Sequence, residues 1–151
     1  MSTPSESSDL LERLIRDRRP IRRSQSRPVS REQLVRLLEA AIWAPSAHNR
    51  QPWRFAILES EESKALLARM MGRQLRKVLE NDRLPASQIE SDVALSYQRI
   101  TGAAAGIVLC LSMRDMDRYP DWHRQEMETR MAVQSTAMAG QNLLLMASAS
   151  G

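Results

Sequence analysis

The stretch Ala44-Pro45-Ser46-Ala47-His48-Asn49-Arg50-Gln51-Pro52-Trp53 decides how this chain is read. Two prolines bracket a short segment that carries Ser, His, Asn and Gln. Proline lacks an amide hydrogen and clashes with the preceding helical turn, so Pro45 ends any helix that approaches it. Beyond Pro52, residues 53–58 read as a strand. The segment is therefore a polar loop between a helix and a strand. Its backbone amides and carboxamides can hydrogen-bond a flat heterocycle or its polyol chain. The same groups can instead satisfy the loop's own backbone, and composition alone leaves both readings open.

Toward the N-terminus, Ser30 with Gln33 forms a capping box. It opens a helix whose apolar stripe is Leu34, Leu37, Leu38, Ala41 and Ile42. Residues 20–29 are an Arg/Ser/Pro loop. An earlier helix is predicted from a second capping box, Asp9 with Glu12, with Leu10, Leu11, Leu14 and Ile15 at helical spacing and a stop before Pro20. Residues 1–8 are expected to be a disordered tail. Toward the C-terminus, residues 60–80 predict an amphipathic helix with Leu66, Leu67, Met70 and Met71 inward. Residues 89–100 predict another helix, and residues 106–112 a strand buried on both faces. Residues 113–122 read as a polar loop, with Asp115 and Asp117 solvated. From His123 to about Ser148 the chain reads as one long helix.

The whole sequence has 151 residues, which suits one domain. Apolar residues at 42% and charged residues at 26% exclude a disordered chain. No uncharged apolar run reaches the ~20 residues of a spanning helix. The stretch from Met1 to Asp9 holds no apolar core, so no secretory signal is expected. Cys110 stands alone, which excludes an intrachain disulfide framework and a multi-cysteine zinc site, and suits a reducing cytoplasm. It is expected to be a buried core thiol, and Trp43 and Trp53 are expected to be core aromatics.

Net charge is +4, and Lys64 and Lys77 are the only lysines. Arg13, Arg16, Arg18, Arg19, Arg22, Arg23, Arg27 and Arg31 share their stretch with a single acid, Asp17. Such a cluster seeks an anion: nucleic acid, a membrane surface, or a phosphate-bearing small molecule. In Arg18-Arg19-Pro20-Ile21-Arg22, a helix end and a stiff turn can gather guanidiniums around one phosphate, which their planar forks bind bidentately. A solvated arginine loop is the plainer alternative. His123 and Glu126 lie three apart, too few ligands for a metal site, and none is expected. No acid–base pair or nucleophile stands out.

Taken together, the two segments resemble the nitroreductase family of FMN-dependent oxidoreductases. The family pattern is Arg-Arg-Ser-x-Arg after the first helix, then Pro-Val, then a helix running into Ala-Pro-Ser-(Ala/Gly)-x-Asn-x-Gln-Pro-Trp. Here Arg18 to Arg22 precede Pro28-Val29, and the second motif is complete from Ala44 to Trp53. Gln134-Ser135 and Gln141-Asn142-Leu143-Leu144-Leu145 are similar to the family's long central helix, so the resemblance spans residues 9–151. Tyr119-Pro120-Asp121 resembles the subgroup found as the C-terminal domain of a deazaflavin-coenzyme biosynthesis enzyme. Arg22-Arg23-Ser24 offers a rival register, but spacing from Pro28-Val29 favours Arg18-Arg19. In that register Pro20 replaces the family serine, the hydroxyl contact to phosphate is lost, and Arg23 and Ser24 are the candidates to compensate.

The resemblance implies an α+β fold: a central, mostly antiparallel sheet flanked by helices, with the long helix at a homodimer interface. It implies that Arg18, Arg19 and Arg22 hold the FMN phosphate. Pro45, Ser46, Ala47, Asn49 and Gln51 would line the flavin from the partner subunit, while His48 falls at the family's variable position. Reducing equivalents would pass from NAD(P)H through FMN to a nitroaromatic, quinone or related acceptor. The domain is expected at residues 9–151 and incomplete at its C-terminus, where the family adds strands and another phosphate-binding residue. Two strands make a marginal sheet, so truncation or a partner chain is expected to account for the shortfall. The alternatives are a non-catalytic flavin-binding fragment or an arginine-rich nucleic-acid binder. Against the latter, no aromatic is interleaved with the arginines to stack bases.

Overall fold

The computed structural model describes residues 6–25 and 27–151. Five α-helices, one 3₁₀ turn and two strands follow in the order α1 (Glu6–Asp17), α2 (Arg31–Ile42), the 3₁₀ turn (Ala47–Asn49), β1 (Trp53–Leu58), α3 (Glu61–Asn81), α4 (Ala86–Thr101), β2 (Gly106–Leu111) and α5 (Trp122–Ser150). β1 and β2 pair as a two-stranded sheet. Ser112 N–H donates to Pro52 O at 2.8 Å, and Gly106 lies beside Leu58, so the pairing is antiparallel. The described residues fall into two compact units: residues 6–20, 30–55 and 109–151 form the first, residues 21–25, 27–29 and 56–108 the second.

In the first unit, α2 packs on α5. The capping box opens α2 as expected: Gln33 N–H donates to Ser30 Oγ at 3.2 Å, and Ser30 N–H to Gln33 Oε1 at 2.9 Å. Leu34 and Ala41 are buried against the long helix. From α5 the buried set is Glu128, Ala132, Ser135, Thr136 and Ala139, spaced as one helical stripe. Small side chains let the two axes approach closely. Ala44, Trp53 and Ala139 form a core cluster, with Phe55 and Leu109 packed against it. Asn142 Nδ2 donates to Ala40 O at 3.3 Å.

In the second unit, α3 packs on α4. Ser60 caps α3 by accepting from Ser63 N–H at 3.2 Å. The buried stripe is Lys64, Ala68 and Gly72, facing Ile89 and its neighbours on α4. A Cβ on Gly72 would stand 3.3 Å from Val93 Cγ1, which measures how closely the helices meet. Lys64 is 7% exposed, and its Nζ donates to Ala103 O at 2.6 Å.

Several expectations are corrected. The helix α1 starts at Glu6, so Asp9 lies within its first turn and does not cap it, and residues 6–8 of the expected tail are helical; residues 1–5 lie outside the described residues. No residue of α1 is buried, and Leu10, Leu11 and Ile15 are exposed. On α3 the expected inward residues Leu66, Met70 and Met71 are exposed, because the neighbouring helix selects the small-residue stripe. β2 is half-buried to exposed, since both strands of a two-stranded sheet are edges. Cys110 and Trp43 are exposed, with Trp43 85% so, while Trp53 is buried as expected.

Candidate functional site

The loop from Pro45 to Pro52 is the most constrained segment of the first unit. His48, Asn49 and Gln51 all adopt positive φ, at 50°, 53° and 49°. Left-handed backbone costs an L-residue roughly 1–2 kcal/mol, and asparagine bears it best because its side chain bonds locally. Such strain persists only where surrounding bonds fix it, and here they do. Asn49 N–H donates to Ser46 O and Arg50 N–H to Ala47 O, both at 3.0 Å. Ser46 Oγ accepts from Gln51 N–H at 3.0 Å.

Anchors from distant sequence complete the cradle. Ala47 N–H donates to the buried Ser135 Oγ at 3.2 Å, and that hydroxyl donates onward to Met131 O at 2.7 Å. Arg50 pairs with Asp117 at 2.5 Å, and Arg54 with Asp115 at 2.5 Å. Asp117 N–H in turn donates to Glu128 Oε1, a carboxylate only 3% exposed on α5. Asp115 and Asp117 lie in a largely exposed loop, as expected, and each also carries an ion pair there. The signal was available: arginines at 50 and 54 match aspartates at 115 and 117 across an antiparallel pair. Ser135 was visible as part of a motif, but its hydrogen bond to Ala47 was not.

The remaining surface of the loop faces outward. His48, Asn49 and Gln51 are exposed, Ser46 and Ala47 half-buried. Gln51 Nε2 lies 3.4 Å from Asn49 Oδ1. The loop therefore presents neutral carboxamides and a strained backbone on a fixed base.

The arginines divide between the units. Arg18 and Arg19 follow α1 in the first, and Arg22 belongs to the second. Arg18 N–H closes the helix on Leu14 O at 3.3 Å. Arg19 Nη1 turns back to donate to Arg16 O and to Arg18 O, covering carbonyls at the helix end. In the second unit, a cavity of about 360 Å³ is lined by Ile21, Arg22, Arg23, Ser24, Arg99 and Ala103. Ser24 Oγ donates to Gly102 O at 2.9 Å, tying the arginine segment to the end of α4. Arg99 escaped the sequence reading altogether. A larger groove, about 600 Å³, runs between α3 and α4. Arg76 grips Glu90 there with a two-pronged contact at 2.6 and 2.8 Å, which holds the Glu90 carboxyl below its ordinary range.

Among the described residues no group of three or more His, Cys, Asp or Glu is placed to hold a metal ion, and no helix is long and apolar enough to cross a membrane.

An α+β fold with a polar, anchored loop between a helix and the first strand defines the class of protein. Comparison with known sequences narrows it. The profile of the nitroreductase family matches residues 15–151. An Archaeoglobus fulgidus protein, provisionally named NADH dehydrogenase/NAD(P)H nitroreductase, is 30% identical over 136 residues, covering 89% of this chain and 59% of that protein. The nitrobenzene nitroreductase of Ectopseudomonas oleovorans is 44% identical over 55 residues, 36% of this chain and 24% of that enzyme. Among solved structures, a Desulfovibrio desulfuricans protein provisionally named a nitroreductase, in complex with FMN, aligns with a TM-score of 0.66 and 26% identity, covering 98% of this chain and 65% of that one. The chain belongs to the nitroreductase family, and its fold is nitroreductase-like. It spans 59% of the length of the Archaeoglobus relative.

Proposed function

We propose that this chain is part of an FMN-dependent oxidoreductase that takes reducing equivalents from NAD(P)H and delivers them to a nitroaromatic, quinone or similar small acceptor. The observation that carries the reading is the anchored Pro45–Gln51 loop within a nitroreductase-family chain. Support also comes from the FMN bound in the Desulfovibrio relative and from the names of the curated relatives.

The donor set suits FMN. The exposed carboxamides of Asn49 and Gln51 match the hydrogen-bonding edge of an isoalloxazine, while guanidiniums match its phosphate. In this reading Arg18, Arg19 and Arg22 hold the phosphate. Pro45, Ser46, Ala47, Asn49 and Gln51 line the flavin, contributed by the partner subunit of a homodimer. When bound, FMN supplies hydride acceptance and electron transfer, chemistry that needs no protein nucleophile. The chain's own part is orientation. Ser135, Asp117 and Glu128 hold the loop in its left-handed conformation, so its donors are set before any ligand arrives. Pairing of two chains would also cover apolar side chains that α5 leaves in solvent, among them Met131, Val133 and Leu144.

The test is flavin binding. The full protein is expected to purify yellow and to release FMN rather than FAD. Arg19→Ala and Arg22→Ala are each expected to raise the FMN dissociation constant about tenfold to hundredfold, with little change for riboflavin, which lacks the phosphate. A colourless protein that also ignores added FMN would refute the reading.

A further inference from the structure

We propose that the groove between α3 and α4 binds an aromatic carboxylate, its ring laid on the groove's apolar floor and its charge met by Arg69 and Arg73. The groove lies wholly within the second unit and stands apart from the flavin reading. Its volume of about 600 Å³ is in the range of small-molecule sites. Ala68 and Gly72 of α3 and Val93 and Ala94 of α4 line it, and Tyr97 adds an aromatic side chain one turn further along α4. The side chains along α3 are the smallest available, so a thin, flat ligand can reach between the helices.

The wall that α3 contributes is cationic by its sequence. Arg69, Arg73 and Arg76 stand at i, i+4 and i+7, which gathers all three on one flank of the helix. From Arg69 to Lys77 the helix carries four cations and no acid. The neighbours of Arg73 three and four positions away are Arg69, Met70, Arg76 and Lys77; those of Arg69 are Ala65, Leu66, Gly72 and Arg73. The helix therefore offers neither arginine a counter-ion, and like charges so spaced weaken it. Among the described residues Glu90 is the one acid lining the groove, and Arg76 already engages both of its oxygens, at 2.6 and 2.8 Å. Arg69 and Arg73 make no ion pair among the described residues, whereas Arg16, Arg50, Arg54, Arg124 and Arg130 each hold a carboxylate. An anion from outside the chain relieves that imbalance. A carboxylate matches the planar fork of a guanidinium. A ring attached to it meets the apolar floor, the Tyr97 ring and the flat guanidinium faces, on which aromatic groups stack.

The test is calorimetric titration of the 151-residue protein with 1-naphthoate, beside its neutral analogue 1-naphthylmethanol and the alkyl acid decanoate. Naphthoate is expected to bind about tenfold or more tightly than either. Arg73→Gln and Arg69→Gln should each raise its dissociation constant about tenfold, and Arg73→Lys should keep part of the affinity. Ala94→Leu fills the groove from an exposed position and should abolish binding, while Lys77→Gln, outside the groove, should match wild type. Thermal unfolding of each variant checks that the fold is kept. Absence of naphthoate binding overturns the proposal. So does equal affinity for the alcohol, which removes the charge, or for decanoate, which removes the ring. Binding that survives both Arg73→Gln and Ala94→Leu lies elsewhere, and displacement of naphthoate by FMN would assign it to the flavin site; either result overturns the groove.

Discussion

Where α2 meets α5, the buried side chains are Leu34 and Ala41 on one helix and Glu128, Ala132, Ser135, Thr136 and Ala139 on the other. Where α3 meets α4, they are Lys64, Ala68 and Gly72 on one and Ile89 on the other. Both pairs approach through small residues and leave larger apolar side chains outside, Met131 and Val133 in the first unit, Leu66 and Met70 in the second. They differ in the polar groups they bury. In the first unit a hydroxyl and a carboxylate accept backbone N–H groups from loops. In the second an ammonium donates to a backbone carbonyl. Acceptors facing inward hold a loop that shows neutral donors outward. A buried cation instead answers a carbonyl just past the end of α4. The same packing device thus buries two kinds of polar group.

The largest effect should come from overfilling the core cluster of the first unit. Ala139 is 0% exposed, so Ala139→Leu has no room and is expected to cost about 1–3 kcal/mol. Leu66→Ala, which removes a much larger side chain from an exposed position on α3, is expected to stay within about 0.5 kcal/mol. Urea denaturation of the two variants measures both, and the reverse order would mean that the exposed apolar face of α3 is covered in solution.

Next come the buried polar groups. Ser135→Ala strips the acceptor from Ala47 N–H, and a stranded buried donor costs roughly 1–3 kcal/mol. Lys64→Met also breaks a hydrogen bond, but it removes the desolvated charge together with it, so the net loss should be the smaller of the two. Equilibrium unfolding ranks them. A larger loss for Lys64→Met would show that the ammonium, and not the close helix contact, secures the second unit.

The smallest effect is at the start of α5. Asp121 accepts from Arg124 N–H at 2.9 Å and pairs with the Arg124 guanidinium, and these contacts hold its carboxyl below its ordinary range. A lowered carboxyl stabilises the fold above the unfolded-state pKa, about 4, and that contribution fades as pH falls through the folded value. Asp121→Asn keeps a capping acceptor but loses the charge. It is expected to lower the midpoint of thermal unfolding slightly at neutral pH, and by less at a pH below the unfolded-state value. An equal deficit at both pH values would assign the effect to cap geometry.

Much of this was legible in the residues. The capping box at Ser30 and Gln33, the strand at 53–58, the second strand to within a residue and the start of α5 all follow from contacts within about four positions, which the local sequence contains. The loop motif from Ala44 to Trp53 likewise announced a bracketed polar turn. What misled was burial. On α3, Leu66, Met70 and Met71 look like a core face, yet Lys64, Ala68 and Gly72 are buried, and both sets have helical spacing. Only the partner helix chooses between them, and it chooses the side that admits close approach. Cys110 and Trp43 were misjudged for the same reason, since apolar character does not name a neighbour.

The sequence by itself determined where α2, β1, β2 and α5 begin, which turn is stiffened by proline and which motif marks the family, because these depend on dihedral limits and short-range hydrogen bonds. Only the tertiary structure decided that Ser135 holds Ala47, that Asp115 and Asp117 lock the arginines of the loop, and that Arg99 shares a cavity with Arg22 and Arg23. Those pairs lie between 61 and 88 positions apart, or come from different elements altogether. No local pattern encodes such meetings; they arise when helices and strands pack and bring buried donors to the acceptors that make their burial tolerable.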